Sequence, residues 1–149
     1  MTDLPTSGLF AGRVHRFPIR VYYADTDAGG VVYHSSYLNF AERARTEMTR
    51  LLGLDQVKLR AEQDLLFAVR SAEIDYLRPA RLDDVLEVRS CVEHLGGASL
   101  HVRQTIYRGD EELVGLLIKL VCMTGSAKAA RIPQDLRDRF QTTLPQETD

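Results

Sequence analysis

Residues 22–42 read YYADTDAGGVVYHSSYLNFAE, and this stretch decides the fold. Its first part, residues 24–30, is typical of a loop, because glycine adopts positive φ without steric penalty and Asp and Thr side chains bond to nearby backbone. Its second part begins an amphipathic helix, which either Ser35 or Ser36 can cap through its side-chain oxygen. The sequence therefore predicts a glycine loop that leads directly into a helix.

The helix is predicted from apolar residues that recur at three- and four-residue intervals, the spacing of one helical face. The members of this stripe are Tyr37, Phe40, Ala41, Ala44, Met48, Leu51 and Leu52. Charged residues are expected on the opposite, solvent-exposed face, and they are Glu42, Arg43, Arg45, Glu47 and Arg50. Gly53 is a good residue to end the helix, because it can adopt the left-handed conformation that follows a last turn.

Strand patterns lie on both sides of this helix. Residues 15–23 alternate apolar and polar side chains, the period of a strand, and Pro18 indicates an edge or a bulge near its start. Four apolar runs follow the helix between Gly and Asp turns, and they are residues 65–74, 85–95, 99–107 and 113–124. This order favours an antiparallel meander. The simplest packing is an α+β fold in which the sheet wraps around the helix.

The length and composition predict one ordinary globular domain. The chain has 149 residues, of which 44% are hydrophobic and 27% are charged, and these values fit one folded unit. We place that domain at residues 13–127, with residues 1–12 and 128–149 as terminal extensions. Residues 57–64 and 133–140 are candidates for short helical segments.

Composition also disfavours several partners. The net charge of -2 gives no reason to expect nucleic acid, since phosphate binding needs a concentrated basic face. No run approaches the ~20 apolar residues of a membrane span, and we expect no secretory leader, so the protein is predicted to be cytoplasmic. Cys91 and Cys122 are expected to be buried thiols. No Cys/His cluster has metal-ligand spacing, so no metal is expected.

Asp27 is the candidate for chemistry on the glycine loop. It precedes a helix start, where unpaired N–H groups and a partial positive charge are available. Gly29 and Gly30 leave room for a ligand beside the backbone, and a carboxylate next to oxyanion donors suits acyl transfer. The residues alone leave a turn-stabilising role for Asp25 and Asp27 open. Calcium binding is disfavoured, because residues 28–32 offer no side-chain oxygen.

A longer stretch, residues 19–45, reads IRVYYADTDAGGVVYHSSYLNFAERAR and resembles the signature of the YbgC-type, Tol-Pal-associated acyl-CoA thioesterases. These belong to the 4-hydroxybenzoyl-CoA thioesterase branch of the hotdog-fold proteins. A weaker similarity covers residues 15–125. The resemblance implies a hotdog fold, with an antiparallel sheet wrapped around one long central helix. It also implies a homo-oligomer, either a dimer or a homotetramer, with active sites at the dimer interface.

The resemblance further implies hydrolysis of an acyl-CoA, or of an acyl-carrier-protein thioester, without a cofactor. Asp27 matches the catalytic carboxylate of the family, which acts either as a nucleophile or as a general base, and the sequence leaves both routes open. A backbone N–H near His34 matches the oxyanion donor. His34 and Tyr23 are further catalytic candidates. The candidates for substrate binding are Gly30, Val31, Tyr33 and Ser99.

The sequence departs from the family pattern at the expected contact with the CoA phosphates. Relatives often hold the CoA phosphates with a basic residue just before the fourth strand, where residues 96–99 carry no cation. The arginines that remain as candidates are Arg78, Arg81, Arg103 and Arg108. Glu42 is expected to be structural.

Two alternative functions remain open. One is a hydratase or dehydratase of enoyl or 3-hydroxyacyl thioesters that uses His34 with Asp27. The other is a non-enzymatic acyl-thioester-binding accessory protein of a membrane-associated complex.

Overall fold

The computed structural model describes residues 3–145 of the chain. Within them the helices are α1 (Ser36–Leu51), α2 (Gln56–Gln63) and α3 (Gln134–Gln141). The strands are β1 (Leu9–Ala11), β2 (Val14–Arg20), β3 (Leu65–Tyr76), β4 (Val85–Leu95), β5 (Ser99–Arg108) and β6 (Glu111–Thr124). The expected helix and the five expected strands are all present, and the two candidate helical segments form α2 and α3.

The strands form one antiparallel sheet in the order β1-β2-β4-β5-β6-β3. Strands β4, β5 and β6 make the expected meander, but β3 pairs with β6 at the sheet edge rather than with β4. The segment after β3 explains this arrangement, because the N–H groups of Leu77 and Arg78 both donate to the carbonyl of Leu113. The chain therefore crosses the end of the sheet before β4 begins.

Helix α1 lays its apolar face on this sheet and packs chiefly against β2 and β4. Phe40, Ala41, Ala44 and Met48 are almost fully buried, and the two alanines allow the close approach. The expected antiparallel sheet and single principal helix are therefore confirmed. The helix is of moderate length rather than long, since its 16 residues span about 24 Å at 1.5 Å per residue.

Two assignments along α1 need correction. Leu51 was placed in the apolar stripe, but it is 46% exposed, because it lies in the last turn where Gly53, with φ of 88°, redirects the chain. Arg45 was placed on the exposed face, but only 9% of its surface is accessible. Its Nη1 donates to Oε1 of Gln104 at 2.9 Å, and burial lowers the pKa of Arg45. A buried charge requires such a hydrogen-bond partner.

Both flanking segments pack against the sheet. Strand β1 pairs with β2 only as far as Arg16. Pro18 therefore has no strand beside it on that side, an edge position as expected, and it pairs with β4 on the other side. In the C-terminal segment, Ile132, Leu136 and Phe140 are buried in the core. Within residues 3–145, no helix is both long enough and apolar enough to cross a membrane.

Candidate active site

The loop between β2 and α1 is held by Asp25. Its Oδ2 accepts a 2.8 Å hydrogen bond from the N–H of Tyr22, and its carbonyl accepts one of 2.9 Å from the N–H of Tyr33. The two ends of the loop are therefore joined through one residue. This geometry gives Asp25 a structural role.

Asp27 lies at the exposed tip of the same loop. Its Oδ1 accepts a 2.8 Å hydrogen bond from the N–H of Gly29, whereas no residue in the described range donates to its Oδ2. Gly30 has φ of 79°, a conformation that glycine adopts at little cost. Asp27 thus stabilises the turn with one carboxylate oxygen and presents the other to solvent.

The start of α1 follows directly. Ser35 is the N-cap residue, but its side chain makes no capping hydrogen bond. Among residues 3–145, none accepts a hydrogen bond from the N–H of His34 or of Ser35. Unpaired N–H groups at a helix N-terminus carry a partial positive charge and suit a developing oxyanion.

Tyr76, at the end of β3, fixes the position of this helix start. Its hydroxyl donates to the carbonyl oxygen of His34 at 3.0 Å, and its ring packs edge-on against Tyr37 at 5.7 Å between centroids. Tyr76 was not among the site residues predicted from the sequence. The available signal was its position in the DYLRPA segment, residues 75–80, within the region of weaker family similarity.

A pocket of about 230 Å³ opens beside the helix start. It is formed by Val32, His34, Tyr37, Tyr76, Leu77, Arg78 and Pro79. The Tyr37 hydroxyl accepts a 3.0 Å hydrogen bond from the N–H of Ala80, and burial raises the pKa of Tyr37. The pocket is therefore largely apolar, its Tyr37 side chain is fixed by a hydrogen bond, and it lies next to the unpaired N–H groups of His34 and Ser35.

Comparison with known proteins identifies the family. The sequence model of the thioesterase superfamily matches residues 29–115, a range that begins in the glycine loop and extends into β6. The chain belongs to the thioesterase superfamily.

Individual relatives show which members of the superfamily this thioesterase resembles. It is 44% identical over 125 residues to the acyl-CoA thioesterase YbgC of Haemophilus influenzae, which covers 83% of this chain and 92% of the relative. It is 50% identical over 128 residues to the acyl-CoA thioester hydrolase YbgC of Escherichia coli, with 85% and 95% covered. A probable thioesterase from Bartonella henselae, 37% identical, superposes with a TM-score of 0.78 over 80% of this chain and 99% of that one. The fold is therefore the hotdog fold of the thioesterases.

Most of the predicted site residues of this thioesterase share one loop. Asp27, Gly30, Val31, Tyr33 and His34 lie within eight consecutive positions, and two isolated bridges, Thr26 with Val32 and Val31 with Arg81, hold that loop in place. The rings of Tyr33 and His34 pack against each other at 4.3 Å between centroids. These residues form a contiguous candidate site.

Two other predicted residues stand apart from that site. Tyr23 is 81% exposed, and in the described part of the chain its hydroxyl makes no hydrogen bond. Ser99 begins β5, whereas Arg108, at the other end, reaches the carbonyl of Pro79 beside the loop. Ten strand residues span about 30 Å. One chain alone therefore does not bring Ser99 to Asp27.

Most of the arginines proposed for the CoA phosphates are already engaged. Arg103 pairs with Glu93 at 2.6 Å. Arg108 pairs with Asp84 and Glu111, and Arg78 lies 3.5 Å from a carboxylate oxygen of Glu111. Arg81 alone of the four has no ion pair within the described residues.

Two further arginines, which were not predicted as site residues, lie at the turn between β4 and β5. Arg137, in α3, donates to the carbonyl of Gly96 at 2.6 Å, and Arg131 lies close to Gly97. Both reach the turn between β4 and β5 from a segment that was expected to be a terminal extension. No local sequence signal indicates this, because more than thirty residues separate the turn from either arginine.

Proposed function

We propose that this thioesterase hydrolyses an acyl-CoA to a free carboxylic acid and CoA, with Asp27 as the reacting carboxylate. The observation that carries the proposal is the arrangement of one loop. Asp27 keeps one carboxylate oxygen open, and the loop then ends in the unpaired N–H of His34 at the start of α1. The activities named for the two curated relatives support the same reaction type.

In the proposed mechanism the thioester carbonyl oxygen faces the N–H of His34. That hydrogen bond strengthens as negative charge develops on the oxygen, and one such donor contributes about 3 kcal/mol to transition-state stabilisation. Asp27 either attacks the carbonyl carbon, which gives a mixed anhydride that water then cleaves, or removes a proton from an attacking water. Both routes release the CoA thiolate, which takes up a proton.

The other site residues have supporting roles in this mechanism. The exposed imidazole of His34 protonates the leaving thiolate or orients the water. Gly30 and Val31 let the thioester approach the backbone, and the Tyr33 ring covers one side of it. The Tyr23 hydroxyl has no hydrogen-bond partner within the described residues of its own chain. We therefore assign it a partner in the second copy of the dimer.

We also infer that two copies of the chain complete the site. Strand β3 has 12 residues and, among the described strands, pairs only with β6. Its outer edge and the exposed side chains of Val69 and Tyr76 suit pairing with the β3 of a second copy. That pairing encloses the exposed tyrosines of the loop at a dimer interface, and two such dimers would give the homotetramer.

For the CoA moiety we assign Arg81, Arg131 and Arg137 as candidate phosphate contacts, with Ser99 beside the two arginines at the β4–β5 turn. Because Ser99 lies about 30 Å from Arg108 along β5, this group would serve the site of another copy. An acyl-carrier protein is the alternative acyl donor. Acyl-CoA hydrolysis is consistent with the predicted cytoplasmic location.

The experiment is a substrate panel with two readouts. Wild-type protein is incubated with acetyl-, butyryl-, decanoyl-, palmitoyl- and 4-hydroxybenzoyl-CoA, and released CoA thiol is followed. An enoyl-CoA, crotonyl-CoA, is incubated in parallel, and water addition is followed as the loss of its enoyl absorbance. We expect thiol release from at least one substrate and no hydration. Hydration without thiol release would support the hydratase alternative, and binding without turnover on any substrate would support the accessory-protein alternative.

A further inference from the structure

His15, in β2, is a buried titratable residue that the proposed mechanism does not use. The residue is 0% exposed. Its ring packs against Phe10 of β1 and Phe17 of its own strand, at 5.3 Å and 6.3 Å between centroids. Buried polar side-chain atoms generally have a hydrogen-bond partner. In the described part of the chain, only one of the two ring nitrogens of His15 has one.

The one partner of His15 belongs to the segment that precedes β1. Nε2 of His15 lies 2.7 Å from the carbonyl oxygen of Ser7. Because a carbonyl oxygen can only accept, Nε2 carries the proton and donates it. Gly8 packs tightly beside this contact, since a Cβ there would collide with the carbonyl oxygen of Arg16 and come within 3.1 Å of Nε2. The segment is therefore held closely against β2.

The other ring nitrogen, Nδ1, is buried, and no group within residues 3–145 forms a hydrogen bond with it. Ser90 is the residue opposite His15 on β4, but its hydroxyl accepts a 2.9 Å hydrogen bond from Nε2 of Gln104. A proton on Nδ1 would create a buried charge and a buried N–H without an acceptor. Both are costly, so the closed structure keeps His15 neutral.

The charges around His15 do not reverse this effect. Burial lowers the pKa of His15, and the hydrogen bond to Ser7 and the charge of Glu47 in α1 oppose that shift without cancelling it. The other buried charge on α1 is Arg45, which is bonded to Gln104 rather than to His15. Strands β1 and β4 meet the ring with uncharged side chains.

The segment that His15 holds also contacts helix α1. Pro5 and Thr6 enclose a space of about 210 Å³ together with Phe17 and one flank of the helix. The helix residues of that flank are Glu42, Arg43, Thr46 and Glu47. Residues 5–8 thus bridge α1 and β2 outside any regular strand. Short terminal segments of this kind open locally at a small fraction of the free energy of global unfolding.

We propose that His15 is an acid-sensitive latch, which in its neutral form holds residues 3–8 against α1 and β2 and which releases them on acidification. Opening brings water to both ring nitrogens, and the ring then takes up a proton. An exposed imidazole is half protonated near pH 6.5, whereas the buried ring binds a proton only at lower pH. The closed form therefore loses stability as the pH falls from about 6.5 to the lower pKa of the buried ring.

Hydrogen exchange of the amides in residues 3–11, followed by mass spectrometry, tests the latch in wild type and in His15→Gln. Glutamine places an N–H donor near the position of Nε2 but does not titrate. Comparison of the two proteins at the same pH cancels the intrinsic pH dependence of exchange. Between about pH 7.5 and about pH 5.5 we expect the opening equilibrium of wild type to rise by up to about tenfold, the limit for one proton. An equal change in His15→Gln would overturn the proposal.

His101→Gln is the matched control. Burial also lowers the pKa of His101, which lies on β5 and has no described contact with residues 3–8. This variant should keep the pH-dependent opening of wild type. If it abolishes that opening, the proton is taken up at His101 and the assignment to His15 is wrong.

NMR of the imidazole groups in wild type gives a test that does not depend on whether His15→Gln folds. The ring of His15 is identified by its contacts with the rings of Phe10 and Phe17, and long-range ¹H–¹⁵N correlations show which nitrogen is protonated. We expect the proton on Nε2 and a titration midpoint below about 6.5. A proton on Nδ1, or a midpoint at or above that value, would overturn the proposal.

Discussion

The hydroxyl of Tyr76 donates a 3.0 Å hydrogen bond to the carbonyl oxygen of His34. This contact joins the edge strand β3 to the residue whose N–H is the proposed oxyanion donor. Because the carbonyl of His34 belongs to the next peptide unit, the bond restricts the orientation of the backbone at the helix start. The same strand is the surface that we assign to the dimer, so assembly and catalysis share one contact.

The first prediction concerns this contact. Tyr76→Phe keeps the ring that packs on Tyr37 but removes the donor, so the helix start becomes less well positioned. We expect kcat to fall roughly tenfold with little change in KM, since a small misplacement of catalytic groups is costly. Steady-state kinetics measure the change. Tyr107→Phe, in which the ring over Arg89 is kept, is the control, and an unchanged kcat in Tyr76→Phe would contradict the assignment.

The second prediction concerns Gly30. Its φ of 79° is left-handed, and a side chain in that conformation costs about 1–2 kcal/mol. Gly30→Ala should therefore lower the free energy of unfolding by about that amount and reduce turnover, because the loop that carries Asp27 shifts. Denaturant titration and thiol release measure both effects. Gly115→Ala, at a strand position with only ordinary contacts, should leave turnover unchanged.

The third prediction concerns acid stability. Burial acts to raise the pKa of Asp84, but hydrogen bonds from Arg108 and from the N–H of Arg81, together with their charges, hold that pKa below its usual value. Such a carboxylate stabilises the fold above its unfolded-state pKa of about 4, and the contribution is lost as pH falls through the folded value. We expect the stability difference between wild type and Asp84→Asn to be largest near neutral pH.

Denaturant titrations at a series of pH values test this. The difference should shrink steadily once the pH falls below about 4, as Asp84 becomes protonated in both folded and unfolded chains. Asp110→Asn, in the exposed turn between β5 and β6, should show little difference at any pH. A difference for Asp84→Asn that is constant across the range would exclude the proposed linkage.

The fourth prediction concerns the helix–sheet contact. Ala44 is fully buried where α1 meets the sheet, so Ala44→Leu inserts atoms into a filled space. We expect the free energy of unfolding to fall by about 1–3 kcal/mol. Arg43→Leu, one position earlier on the exposed face, adds an apolar side chain without crowding and should cost less. Equal effects of the two substitutions would mean that the contact at Ala44 is not tight.

Local patterns predicted most of the fold. Strand β4 begins and ends where the apolar run of residues 85–95 does, and α1 follows its stripe of three- and four-residue spacing. The glycine loop could also be predicted from local patterns. Asp25 forms hydrogen bonds with backbone groups close to it in sequence, and Gly30 adopts the positive φ that the turn requires. The family resemblance added the hotdog arrangement, which the comparisons confirm.

What the sequence could not predict depends on contacts between distant residues. Arg45 is buried because Gln104, 59 positions away, accepts its hydrogen bond, and helical spacing alone cannot show that. The contact between Tyr76 and His34 joins residues 42 positions apart. The pairing of β3 with β6 is of the same kind. The arginines at the β4–β5 turn come from the C-terminal segment, which has no pattern that points to the turn.

The measurement that tests the central claim most directly is thiol release by Asp27→Asn on the best acyl-CoA substrate. Asparagine keeps the oxygen that accepts from Gly29 but cannot serve as nucleophile or base. We predict a loss of at least about 100-fold in kcat, with the stability of the fold and the activity of the control Asp110→Asn unchanged. Full activity of Asp27→Asn would contradict the claim and make Asp27 a turn residue only.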